Sequence, residues 1–136
     1  MRLFLYEFVT GGGWRLVENA PPGGSLLTEG RAMLLAAALD FLALEDVEVD
    51  IPWDARLATP PELTSPRVRL QFVESATDLD KIVSRLAAAA DWSLVVAPEF
   101  DNHLLYACRQ VIAAGGRLLG PTPEFIAIAS DKHATA

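Results

Sequence analysis

A chain of 136 residues is long enough to bury one hydrophobic core and too short for two. Its 11 Lys and Arg against 18 Asp and Glu leave a net charge of −7, which opposes non-specific attraction to nucleic acid or to an anionic membrane surface. The longest apolar run, Ala32 to Leu39, stops at Asp40, far short of the roughly 18 residues a membrane span needs. Glu7 interrupts the only signal-like start, and the single cysteine leaves no internal disulfide, which suits a reducing cytoplasm.

Along the chain the pattern alternates between strand and helix. Leu3 to Val9 is a dense apolar and aromatic run that reads as a strand buried on both faces, ending in Thr10-Gly11-Gly12-Gly13. Beyond the Pro21-Pro22-Gly23-Gly24 loop, Leu27, Gly30, Leu34, Ala37 and Phe41 recur at helical spacing and predict a helix of about four turns. Val47 to Ile51 alternates apolar with acidic residues as a half-buried strand, and the proline-rich stretch from Pro52 to Pro66 reads as a loop.

Arg67 to Val73 is a third strand, alternating in a way that suits an edge. Thr77-Asp78-Leu79-Asp80 reads as a capping box opening a helix that buries Leu79, Ile82, Val83 and Leu86. Trp92 to Ala97 is a short strand that stops at Pro98-Glu99. Asp101 or Asn102 caps the next helix, whose inner face is Leu104 or Leu105, Cys108, Val111 and Ile112 and whose stop is Gly115-Gly116. Arg117 to Leu119 is a last short strand. Thr122 and Pro123 then open a short helix, and Ser130-Asp131 begins another at the very end. The expected architecture is α/β, a doubly wound and mostly parallel sheet of about five strands with helices on both faces. Residues 1–130 are expected to be the first domain of a larger protein, with 131–136 opening a linker.

Ligands of such sheets gather outside the carboxyl ends of the strands, where the strand order reverses. A central first strand would bring its Gly11, Gly12 and Gly13 exit beside the Pro98-Glu99 exit of the fourth. The three glycines suit either a cradle, whose bare backbone N–H groups approach an anion, or a flexible turn. They are no dinucleotide fingerprint, because Leu16 stands at the third glycine position. Glu99 suits either a substrate amine or a helix cap. Cys108 lies on an apolar helix face and reads as core. With His103 and His133 the only histidines and no Cys/His cluster, no metal site is expected. Asp54 and Arg56 suit either a solvated loop pair, the favoured reading, or the far wall of the site.

The segments Tyr6-Glu7-Phe8-Val9-Thr10-Gly11-Gly12-Gly13, Leu27 to Leu34, Ala97-Pro98-Glu99 and Ser130-Asp131-Lys132, in this order, resemble the N-terminal, Rossmann-like pre-ATP-grasp domain of ATP-grasp carboxylate–amine ligases, closest to the tyramine–glutamate ligase type. The resemblance implies a full-length enzyme in which ATP with Mg²⁺ phosphorylates a substrate carboxylate and an amine displaces the phosphate. It also implies that the nucleotide and metals belong to C-terminal ATP-grasp domains missing here, while this domain walls the substrate site. Lys132 matches a position where some members place a phosphate-contacting lysine. On this view the fragment alone is no complete enzyme and holds neither ATP nor Mg²⁺ tightly. The alternative is a free-standing α/β module whose Gly11 to Gly13 loop binds a small anion.

Overall fold

In the computed structural model, which describes residues 1–120, the four strands β1 (Arg2–Glu7), β2 (Glu48–Asp54), β3 (Val68–Val73) and β4 (Trp92–Val96) form one sheet. Its order is β3-β2-β1-β4 and every pairing is parallel. The apolar run that opens the chain therefore lies inside the sheet, with Leu3, Phe4 and Leu5 fully buried. A strand enclosed on both faces has no use for polar alternation, which is why this one shows none.

Helix α1 (Gly24–Leu42) covers one face, where Leu34 and Ala38 pack on Leu3, Leu5, Val49, Ile51 and Trp53. Helices α2 (Ala76–Ala89) and α3 (His103–Ala113) cover the other, where Leu79, Val83, Leu86, Ala107 and Val111 pack on Phe4 and Tyr6. The fold is thus a doubly wound α/β sandwich. Among the described residues its sheet has four strands rather than about five: the predicted last strand survives only as a parallel bridge between Leu118 and Ser93.

The predicted loop from Pro52 also begins too early. Pro52, Trp53 and Asp54 continue β2 and pair with Gln71, Phe72 and Val73 of β3. Donors along β2 alternate sides, Glu48 N reaching Met1 O and Val49 N reaching Arg67 O, so the donor Pro52 lacks would face β1. There the β1–β2 register already ends at Phe4 and Asp50, and nothing is lost. β3 is an edge strand as expected, but Phe72 is half exposed, because only a single 3-10 turn, Pro61–Leu63, and no α-helix, joins β2 to β3.

Helix ends are fixed by identifiable side chains. Arg67 donates at the C-terminal end of α1, Nη2 to Leu42 O at 2.7 Å and Nη1 to Leu44 O, two residues past the helix, at 2.9 Å, placing a cation at the negative end of the helix. Gly115, at φ 85°, and Gly116 close α3 by donating to Ile112 O and Val111 O, a Schellman stop. Asn102 precedes α3 in a left-handed conformation without a side-chain cap, and Ile112 is half exposed rather than inside. The N-cap of α2 is Ser75, not Thr77: Ser75 Oγ accepts from Asp78 N at 3.0 Å, and Asp78 Oδ2 accepts in return from Glu74 N at 3.0 Å. Ser75→Ala should lower stability by about 1 kcal/mol, read as a lower denaturant midpoint with an unchanged slope.

Candidate functional site

The turn after β1 is built around a buried acid. Glu7 ends the strand, is 1% exposed, and folds its carboxylate back onto the chain that follows. Oε2 accepts from Val9 N at 2.9 Å, while Oε1 accepts from Thr10 N and Thr10 Oγ1, both at 2.8 Å. Burial pushes the Glu7 carboxyl above the ordinary glutamate range, against the lowering effect of those three donors. Among the described residues no Lys, Arg or His pairs with it.

Crowding dictates the glycines around this acid. A Cβ on Gly11 would stand 2.5 Å from Glu7 O, one on Gly12 2.6 Å from Val73 Cγ1, and one on Gly13 2.5 Å from the Tyr6 hydroxyl. Gly12 also holds φ 98°, a left-handed value that costs other residues strain. All three are buried, so the segment is a packed turn and not a loose one. Gly30 of α1 closes the arrangement from above, since a Cβ there would lie 2.7 Å from Glu7 Oε1.

Beside Glu7 opens a cavity of ≈ 200 Å³. The β1 exit contributes Glu7, Phe8 and Val9, and the following turn contributes Trp14. α1 supplies Leu26, Glu29, Gly30 and Met33, and the β4 exit supplies Val96, Ala97, Pro98 and Phe100. The two exits are joined directly, Phe8 N donating to Val96 O at 2.8 Å. This is the point where the chain leaves the β1–β2–β3 side of the sheet for β4, the crevice in which doubly wound folds bind ligands. Phe8 also stacks on His103, ring centroids 4.4 Å apart, and Phe100 meets the same ring edge-on at 5.6 Å.

Of the residues singled out from sequence, Gly11, Gly12 and Gly13 support this cavity from behind and are not in its wall. Glu99 is exposed, between the wall residues Pro98 and Phe100. Lys132 lies outside the described residues, as do the two helix starts expected after Pro121. Glu7 was legible only as a lone charge in an apolar run, and its partners are set by the turn. Cys108 is core: burial raises its thiol to about 11, leaving little thiolate at neutral pH.

Asp54 and Arg56 are not a solvated pair. Asp54 is fully buried at the end of β2, with Oδ1 held by Arg56 Nε at 3.0 Å and Arg15 Nη2 at 3.1 Å, and Oδ2 by Arg56 Nη2 at 2.8 Å. Its N–H donates to Thr10 O at 2.7 Å, tying β2 to the β1 turn. Burial alone would raise its carboxyl, but the hydrogen bonds from Arg56 and the charges of Arg15 and Arg56 outweigh it and hold it below the ordinary aspartate range. Stability from a lowered carboxyl is present above the unfolded value and lost as pH falls through the folded one. Asp54→Asn should therefore cost on the order of 3 kcal/mol at neutral pH by stranding both guanidinium groups. The loss should shrink towards acid pH, which urea titrations of both forms from neutral to strongly acidic pH would reveal.

Among the described residues no three His, Cys, Asp or Glu side chains gather around a possible metal position, and the glycine turn is packed by Tyr6, Phe8 and Val73. No helix among them is long and apolar enough to cross a membrane.

No curated protein matches the chain. A crystal structure from Archaeoglobus fulgidus, of a protein assigned to the ATP-grasp superfamily, superposes with a TM-score of 0.63 over 93% of this chain at 22% identity, a likeness of fold. The match takes up 35% of that protein, so this chain spans about a third of its length. A family model, the pre ATP-grasp 3 domain, matches residues 47–126, from the entry to β2 past the end of α3. With more than half of its length in that match, the chain belongs to the pre ATP-grasp 3 domain family.

Proposed function

We infer that this domain forms the substrate-side wall of an ATP-dependent carboxylate–amine ligase. The observation that carries the reading is the cavity at the β1 and β4 exits, in a domain of a family named for its place before an ATP-grasp region. ATP with Mg²⁺, held by the ATP-grasp region, would activate the acid as an acylphosphate. The part of the described residues is to bind and to exclude water. Phe8, Val9, Trp14, Met33, Val96 and Phe100 make the wall mostly apolar, and a dry wall protects an activated acyl group that an amine must reach before water does.

Residues 1–130 would constitute the domain and 131–136 the way to the ATP-grasp region. Gly11, Gly12 and Gly13 would act by fixing the wall, and Glu99 would stand at its rim facing a substrate or the following domain. The rival anion-binding module loses support from the packing of its supposed cradle by Tyr6, Phe8 and Val73.

The test is turnover by the full-length protein. ADP and phosphate release should require a carboxylic acid and an amine together, with an amide as product. Release needing neither, or ATP binding at micromolar concentration by this domain alone, would refute the reading. In the same assay Lys132→Ala should lower kcat about tenfold or more and raise KM for ATP, as expected of a lysine that neutralises charge developing on phosphate. An unchanged rate would remove Lys132 from the site.

A further inference from the structure

We propose that the outer edge of β3 is the contact between two copies of this chain, paired antiparallel about a two-fold axis at Leu70, so that the two sheets continue as one. The inference is independent of the ligase reading. It leaves free the cavity at the β1 and β4 exits, since β4 is the opposite edge of the sheet.

The backbone of β3 supplies the first observation. Arg67 O accepts from Val49 N and Val73 O from Ala55 N, and backbone groups alternate sides along a strand, so Val68, Leu70 and Phe72 turn theirs away from β2. Val68 N is taken by Ser65 O, and among the described residues no strand pairs with the rest. Native sheets blunt such an edge with lysine, proline, a bulge or a free charge. Between Val68 and Val73 none of these stands. The register with β2 runs unbroken, and Arg69 is drawn over the sheet onto Asp50 Oδ1 at 2.7 Å and Glu48 Oε2 at 3.6 Å.

The order of side chains along this edge identifies the occupant as a second copy. With Leu70 opposite the partner's Leu70, Leu70 N donates to the partner's Leu70 O and Phe72 N to the partner's Val68 O, each bond reciprocated by symmetry. Val68, Leu70 and Phe72 share one face, so the half-exposed Phe72 covers the partner's Val68. On the other face Arg69 stands opposite the partner's Gln71 and meets no like charge. Neighbouring registers are worse. An axis at Arg69 sets it against the partner's Arg69, one at Gln71 sets Val68 against the partner's Glu74, and one at Phe72 sets Leu70 against the partner's Glu74. The net charge of −7 keeps copies apart elsewhere, whereas β3 carries no acid. A charged foreign strand gains nothing from Arg69, which is already paired. The described chain itself leaves at the opposite edge, where Leu118 bridges Ser93 of β4.

A contact built on one strand pair falls below the roughly 1,200 Å² at which standard interfaces begin, so the dimer is a weak one. Sedimentation equilibrium from about 5 to about 500 μM should show monomer and dimer with a dissociation constant on the order of 10 to 100 μM. Phe72→Lys, at an exposed position, should weaken the dimer about tenfold or more, and Val68→Glu likewise. Mixed, the two folded variants should recover a heterodimer, because position 72 of one copy faces position 68 of the other. Hydrogen exchange gives a second readout: the Leu70 and Phe72 amides should gain protection as concentration rises, while those of Arg69 and Gln71, turned towards β2, are protected throughout. Exchange in the parent and in Phe72→Lys decides the matter if Val68→Glu does not fold. A monomer at every concentration, a dimer indifferent to Phe72→Lys, or a mixture without heterodimer would overturn the proposal. So would protection of Leu70 and Phe72 that ignores concentration, which would mean that a segment of the same chain covers the edge.

Discussion

The turn that follows β1 is the constraint on which the upper rim of the molecule depends. In five residues the chain must leave a fully buried strand, satisfy its own backbone donors out of reach of water, and clear Tyr6, Phe8 and Val73. A carboxylate bent back from Glu7 satisfies Val9 N and Thr10 N, and glycines at the next three positions let the backbone through. Thr10 then accepts from Asp54 N, Gly12 rests on Val73, and Arg15 reaches both Asp54 and Val73 O, so one turn ties together the exits of β1, β2 and β3. With the Phe8 bond to Val96, all four strand ends are joined.

The two buried acids on this rim behave in opposite ways for the same reason. Asp54 has two guanidinium groups and is stabilised as an anion; among the described residues Glu7 has only neutral donors, and burial makes its charge expensive. For Glu7 the folded state keeps a proton the unfolded state has already released, so stability falls as pH rises from the ordinary glutamate range through the raised folded value. Asp54 contributes in the reverse direction. One acid is held by two guanidinium groups, the other by the backbone and hydroxyl donors of its own turn.

What the sequence made legible followed from local pattern. The dense apolar run from Leu3 to Val9 announced an interior strand, and Leu34, Leu79, Val83 and Val111 showed their core faces by spacing. The meeting of the β1 and β4 exits followed from placing that strand centrally. What failed were features decided by partners distant in the chain. Pro52 looked like a strand breaker because its harmlessness depends on where the β1–β2 ladder stops. Asp54 looked solvated because Arg15 lies 39 residues away. Thr77 and Ser75 both begin an acceptable capping box, and the end of β3 at Val73 selects the earlier one. The glycines were noticed for their openness, yet neighbours four to seven residues earlier and Val73 across the sheet had already claimed their space.

The account stands on Glu7 as a buried carboxyl group that holds the turn through Val9 and Thr10 with no counter-cation among the described residues. Its most direct test is a pH titration of the Glu7 side-chain carboxyl carbon by NMR, followed together with the Val9 and Thr10 amides. The account predicts a midpoint above the ordinary glutamate range, with both amide resonances moving through the same transition. A midpoint at or below that range, or amides that ignore the titration, would contradict it.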